Sequence, residues 1–471
     1  MLEIRKKVSF MLDKTGISEM DAFLAANPDV ELIELLMPDM CGMLRGKRLT
    51  RDSFDKLFSG DIRAPGSLYL LDATGRNIPT MHYGIADGDP DNYCWAVPGS
   101  LSRVPWSERP MGQVLGSMTE DNGDPLFSDP RAILSRTVAK LAELGLSPSI
   151  AIELEFYLLD QEPGSNGQPR PAFSHESGYR QSTTQVLGME ELYDFQNFLG
   201  DVEDACKAQG IPAEAASKEY APGQYEINLH YVADALLGCD QAVLLKRTIK
   251  GVARRHGLLA TFMAKPFQDS AGSGTHVHVS LYDKDGNNAL RGPLDEKLGI
   301  NAGPALRHAI GGLVEAMPES MAIFAPNANS YRRFQPGMFA PVSPSWGVNN
   351  RSAGLRIPPS EDDALRIEHR NAGADANPYL VTAAILAGIH YGLTNRVDPP
   401  PHSIGDQDPD SLPELPLRWW GALDHFRDGQ ILPAYLGEKY HELYEACRRY
   451  ECDQYHSRVQ PLDFDWYLRT V

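Results

Sequence analysis

The stretch Glu219-Tyr-Ala-Pro-Gly-Gln-Tyr-Glu226 places a carboxylate on each side of a Pro-Gly turn and leads into a strand predicted over 223–230. Gly223 lets the backbone there approach a neighbour closely. Three other segments share its chemistry. Ile152-Glu-Leu-Glu-Phe156 lies in an apolar strand predicted over 149–159, and its two carboxylates, at i and i+2, leave by the same face. Gly272-Ser-Gly-Thr-His-Val-His278 enters a strand over 275–282 with two histidines on one face. Arg366-Ile-Glu-His-Arg370 sets a carboxylate between two guanidiniums. Each segment alone has a plain reading, as a solvated strand face, a surface turn, ordinary strand histidines or structural salt bridges. Four along one chain are hard to ascribe to coincidence. Carboxylates and imidazole suit hard divalent cations, and arginines suit phosphate and carboxylate groups. The set reads as a metal-nucleotide site that also holds an anionic substrate. Arg332, Arg333, Arg351, Arg356, Arg366 and Arg370 crowd the later chain. Arg356 and Arg370 fall among apolar or small residues, where each guanidinium requires an anion.

Working outward, helices are predicted at 18–27, 129–145, 189–209, 234–256, 303–318, 376–393 and 433–450. Further strands fall at 30–37, 43–49 and 258–264. Elements alternating in blocks indicate an α+β protein. A sheet-rich first domain is expected over 1–110 and a second over 111–471, with a surface loop from Asp398 to Pro416.

The 471 residues, 42% hydrophobic and 23% charged, are ample for a packed core. The net charge of −19 counts against a nucleic-acid partner, which needs a basic face. Six scattered cysteines without a CxxC pair suggest neither a disulfide framework nor a thiolate zinc site. No leader is read in the first residues, and Tyr379 to Leu393 is too short to span a bilayer. A cytoplasmic protein without a membrane partner is the expectation.

The blocks, in order, resemble the glutamine synthetase superfamily. Besides those quoted, the resemblance rests on Gly42-Met-Leu-Arg-Gly-Lys-Arg48, Lys265-Pro266, Asn329-Ser-Tyr-Arg-Arg333, Asn350-Arg351, Leu355-Arg-Ile-Pro358 and Ala374-Asp-Ala-Asn-Pro-Tyr379. The fold it implies is a β-grasp amino-terminal domain on a larger α/β catalytic domain with a curved antiparallel sheet. It implies two or three Mg²⁺ or Mn²⁺ per site and ATP as a substrate. Glu155, Glu219 and Glu226 would hold one ion, and Glu153, His276 and Glu368 a second. His278 and Arg351 would contact ATP, with Arg356 and Arg366 also at the transferred phosphoryl group. Arg333, Arg370 and the Gly272 backbone would grip glutamate. Arg356, Arg366 and Glu226 would be the catalytic residues. The implied assembly is a homo-oligomer of stacked hexameric rings, a dodecamer, with sites between subunits.

Departures bear on the acceptor. Ammonia-using members carry a glutamate where Phe339 stands and an aspartate at the place matched by Pro65. An ammonium ion needs anionic ligands, whereas an alkylamine suits an apolar or aromatic wall, with cation–π help. Ala271 replaces an asparagine of the ammonia enzymes, and Val397 a modifiable tyrosine. The pattern is most similar to the γ-glutamylputrescine synthetase group. The expected reaction is therefore ATP-dependent joining of the glutamate γ-carboxylate to putrescine or a related amine. Ammonia assimilation and a catalytically inactive relative stand as alternatives.

Overall fold

Alternating apolar residues in Leu32–Pro38 form the first strand, β1, which pairs antiparallel with β2 (Leu44–Thr50) and parallel with β6 (Met111–Thr119). β4 (Asp91–Ala96) lies on the other side of β6, with β3 (Ile62–Pro65) beyond it, and short β5 (Ser102–Arg103) also pairs with β6. Residues 18–26 are helical (α1), and α2 (Lys56–Ser59) precedes β3. Ile33, Leu35, Leu57, Val114 and Met118 share this unit's core. The computed structural model describes residues 18–79, 81–335, 339–405 and 413–471. Strand pairing carries the first sheet past residue 110. β6 is central to this sheet, with its Val114 and Met118 in the first unit's core and its Leu115 in the main core.

The second sheet is built around β7 (Ser147–Asp160). β11 (Gln224–Asn228) and β13 (Thr275–Tyr282) flank β7, with β10 (Ser217–Lys218) at one edge and β12 (Leu258–Thr261) also on β7. β18 (Ile367–His369), β17 (Leu355–Ile357) and β16 (Trp346–Val348) continue beyond β13. All pairs are antiparallel except β16–β17. Two small ribbons, β8–β9 (Phe173–Ser174, Tyr179–Arg180) and β14–β15 (Arg291–Asp295, Ile300–Ala302), stand apart.

Helices α3 (Pro130–Glu143), α6 (Ala235–Arg255), α7 (Pro304–Phe324) and α8 (Pro378–Asn395) pack with the second sheet into the main core. The apolar run 379–393 is thereby a buried core helix, and no described helix is long and apolar enough to cross a membrane. Two helix caps also tie the units together. Asp129 accepts from the Arg131 N–H at the start of α3 and from the Met118 N–H of β6. Asn377 accepts from the Tyr379 N–H at the start of α8, while its Nδ2 donates to the Asp39 carbonyl, 2.7 Å away.

Three predicted helices differ in extent. The 189–209 segment breaks into α4 (Met189–Tyr193) and α5 (Gln196–Gln209), where the Ser174 hydroxyl donates to the Asp194 carbonyl. α7 runs through Pro318 to Phe324, its burial against α8 outweighing the lost backbone bond. The 433–450 helix is split at Gly437, φ +88°, into α10 (Pro433–Leu436) and α11 (Glu438–His456). Helices α9 (Trp419–Asp428) and α12 (Pro461–Tyr467) had no counterpart in the sequence reading. Part of the expected 398–416 loop, residues 406–412, lies outside the described residues.

Candidate active site

Strand register alone brings the site together. Glu226 of β11 is directly across from Glu155 of β7, and Glu153 of β7 is across from His276 of β13. His278 of β13 is across from Glu368 of β18, which is across from Arg356 of β17. Parity two on each strand sends these side chains to one face. All but His278 line a cavity of about 390 Å³ with Glu219, Gly272, Arg333, Phe339, Arg351 and Arg370.

Two groups of donors within it have ligand atoms close enough to share an ion. One is Glu153, His276 and Glu368; the other is Glu155, Glu226 and His276; within each group all the donor atoms lie within 4.8 Å of one another. His276 belongs to both. Glu219 lines the same cavity but is outside either close group, and its Oε2 accepts from the Tyr220 N–H at 3.2 Å.

The electrostatics divide the carboxylates. His276 Nδ1 and His278 Nε2 each lie 2.9 Å from an oxygen of Glu153. Burial opposes ionisation of Glu153, but those two imidazoles hold its carboxyl well below the usual range. Glu368, also buried, is held low by Arg370, with Arg356 Nη1 2.7 Å from its other oxygen. On the other side, burial and the Glu155 charge push Glu219 up to about 7. Burial and the charges of Glu153, Glu155 and Glu219 push Glu226 up to about 9. Among the described residues neither Glu219 nor Glu226 has an ion-pair partner. Carboxylates short of positive charge, with a single shared imidazole, fit a hard divalent cation with oxygen preference.

Glu155 is held in place by bonds from the Gly274 N–H (2.8 Å) and Gln224 Nε2 (3.2 Å) to its Oε2. Arg333 is 4% exposed and threads between glycines. A Cβ on Gly272 would lie 2.6 Å from Arg333 Cγ, and one on Gly274 3.2 Å from its Nη2. At the mouth, the Phe339 ring is 5.0 Å from that of Tyr220, with Val186 beside them in the lining. Phe339 has φ +60°, a strained setting for a residue with a side chain.

Not every expected residue lines the cavity. His278 and Arg366 stand one layer back, where Arg366 Nε donates to His278 Nδ1 at 3.2 Å. Pro65 ends β3 across from Asp91 and is no part of the lining. The sequence reading passed over Gln224, Asn228, Tyr220 and Val186, all of which line the site. Gln224 and Asn228 share the parity of Glu226, a signal present in the sequence. Val186 carried none.

The family description "Glutamine synthetase, catalytic domain" matches residues 127–467. The chain is 38% identical over 454 residues to Gamma-glutamylputrescine synthetase PuuA of Escherichia coli (strain K12), covering 96% of this chain and 95% of that one. It is 31% identical to Gamma-glutamylethanolamide synthetase GlnA4 of Streptomyces coelicolor (strain ATCC BAA-471 / A3(2) / M145), covering 96% and 95%. A solved GmaS/ADP complex superposes with a TM-score of 0.81 at 26% identity, covering 95% of this chain and 98% of that one. With its sheet, its cavity and these likenesses together, the chain belongs to the glutamine synthetase family of carbon–nitrogen ligases.

Proposed function

We propose that this protein joins the γ-carboxylate of glutamate to a primary amine, putrescine or a related alkylamine, coupled to cleavage of ATP to ADP and phosphate. A carboxylate cannot be displaced directly by an amine, because its oxygen is a poor leaving group. Phosphoryl transfer from ATP gives γ-glutamyl phosphate, and the amine then attacks the acyl carbon and expels phosphate.

In this reading Glu155, Glu219 and Glu226 hold one divalent ion, and Glu153, His276 and Glu368 another, Mg²⁺ or Mn²⁺. Bound there, the ions supply charge neutralisation for the nucleotide phosphates. Arg351 contacts ATP from the open side of the cavity. Arg356 and Arg366 meet charge that develops on the transferred group, and His278 links Arg366 to the Glu153 layer. Arg333, Arg370 and the Gly272 backbone hold glutamate. Phe339 and Tyr220 form the acceptor wall, to which an alkyl chain offers apolar contact and its ammonium a cation–π contact. Pro65, on the amino-terminal sheet, would reach an acceptor pocket only from a second copy of the chain, in keeping with a ring assembly, stacked to a dodecamer. We place the enzyme in the cytoplasm, where ATP and glutamate are available.

The single observation behind this reading is the register that gathers Glu153, Glu155, Glu226, His276 and Glu368 in one cavity. The names of the two curated relatives support glutamate–amine ligation and differ in the amine, which makes the acceptor wall the part to test. ADP release is measured with glutamate, ATP and Mg²⁺ against ammonium and a panel of amines, with the product mass determined. Turnover dependent on putrescine or a similar amine supports the reading. Turnover with ammonium alone, or with no amine at all, refutes it.

A further inference from the structure

Arg333 ends a short 3₁₀ turn, Ser330–Arg333, and is buried in the cavity wall. That turn is unusually well tied. Asp375 Oδ2 accepts from Asn327 Nδ2 and from the Ser330 hydroxyl, each at 2.7 Å. Asn327 Oδ1 accepts from the Asn329 N–H at 3.0 Å and the Ser330 N–H at 3.3 Å. Asn329 in turn accepts from the Lys265 N–H (2.8 Å) and donates to the Lys265 carbonyl (2.9 Å), fastening the turn to the segment that leads into Gly272.

One atom of this network is left over. Asp375 Oδ1 is buried with no hydrogen-bond partner. A Cβ on Gly373 would lie 2.4 Å from that oxygen and 3.3 Å from Arg333 Nη1, so both border the same small space. Arg333 Nη1 donates to the Asn371 carbonyl at 3.1 Å, and no ion pair to Arg333 occurs among the described residues. A buried carboxylate oxygen without a donor is costly unless a cation stands close by; two are near Asp375, the Lys246 ammonium, which donates to the Ala374 carbonyl at 2.7 Å, and the Arg333 guanidinium, which shares the space at Gly373 with Asp375 Oδ1.

We propose that Asp375 is a positioning residue for substrate binding: it pins the 327–333 turn through one oxygen and seats the Arg333 guanidinium electrostatically from behind through the other. Arg333 then faces the cavity in the orientation that receives a carboxylate of the amino-acid substrate. The inference rests on the proposed role of Arg333 in holding glutamate. Asp375 touches no substrate; it acts through Arg333.

Asp375→Asn keeps an acceptor for Asn327 and Ser330 but turns an N–H₂ toward the guanidinium, donor against donor. Steady-state kinetics of the full chain should show KM for glutamate raised roughly tenfold, with KM for ATP within about twofold and kcat within about threefold, the range seen when an orienting partner is lost. Ser330→Ala loosens Asp375 Oδ2 without touching Arg333, and should shift KM for glutamate the same way by a smaller factor. Arg333→Gln should raise KM for glutamate more, and adding Asp375→Asn to it should cost little further, because the two changes remove one interaction. A purely structural role would lower thermal stability and move all three kinetic parameters together, and that outcome overturns the proposal. An unchanged KM for glutamate in Asp375→Asn, beside a raised one in Arg333→Gln, overturns the proposal while leaving the glutamate reading intact. An unchanged KM in Arg333→Gln removes that reading, and this inference with it.

Discussion

Glu226 and Glu155 stand directly opposite each other on neighbouring antiparallel strands, two carboxylates on one face with a His276 nitrogen close to both. Such an arrangement is unfavourable without added positive charge, and its cost depends on pH.

The metal-free protein should therefore lose stability as pH rises. Glu219 and Glu226 titrate near 7 and 9 in the folded chain, above the ordinary 4.5. Between those values the folded state holds more protons than the unfolded one. Their contribution is fully present below about 4.5 and is lost as pH climbs through 7 and 9. The depressed Glu153 works in the opposite sense, but it titrates below this window. The melting temperature without metal should fall from pH 5 to pH 7, above which Lys246 and Lys218, pushed down by burial to about 7 and about 8, work in the opposite sense, and Mg²⁺ should restore it most at the alkaline end. Calorimetry of Mg²⁺ binding near pH 7 in buffers of different ionisation enthalpy should detect protons released. A flat melting profile without metal would contradict the assignment.

Glu226→Gln should separate activity from stability. It removes a charge donor, so turnover should fall roughly a hundredfold or more, beyond what loss of a supporting contact gives. It also removes a repulsive neighbour of Glu155 wherever Glu226 is ionised, so the metal-free melting temperature should rise at about pH 9 and above and change little near pH 6. Near-normal rates at saturating Mg²⁺ would remove Glu226 from the ligand set.

At the mouth, Phe339→Glu should weaken use of longer amines relative to ammonium. Tyr220→Ala should raise KM for the amine while KM for ATP stays constant, since the ring contact with Phe339 is lost. Competition assays between ammonium and each amine read both effects. An unchanged preference in both variants would place the acceptor elsewhere.

Gly272→Ala tests the passage of Arg333. The new methyl would lie 2.6 Å from Arg333 Cγ and 2.8 Å from the Ala264 carbonyl oxygen, and backbone yields less readily than a side-chain tip. A cost of about 1–3 kcal/mol in denaturant unfolding is expected from such overpacking, together with a raised KM for glutamate. Wild-type values for both would mean that Arg333 does not run where it is described.

Much of this was legible from residue order. The same-face parity of Glu153 with Glu155, and of His276 with His278, held because strand periodicity is a local property. The pairing of Glu226 with Glu155 was not legible, since register is set by tertiary packing across about 70 residues of chain. For the same reason the pairing of β6 with β1 was not legible: β1 lies far upstream, and nothing local in Met111–Thr119 identifies it. Pro318 marked a helix end by local rule, but packing of α7 on α8 overrode it. The role of Asp375 was hidden inside the Ala374–Tyr379 block, because its partners Asn327 and Ser330 belong to another turn.

Anomalous diffraction from crystals grown with Mn²⁺ and a non-hydrolysable ATP analogue addresses the metal claim most directly. Two ions are predicted in the cavity, one against Glu153, His276 and Glu368, the other against Glu155 and Glu226 with Glu219 drawn in. Anomalous density confined to other surfaces, or a cavity that takes up the nucleotide with none of these carboxylates on a metal, would contradict the account.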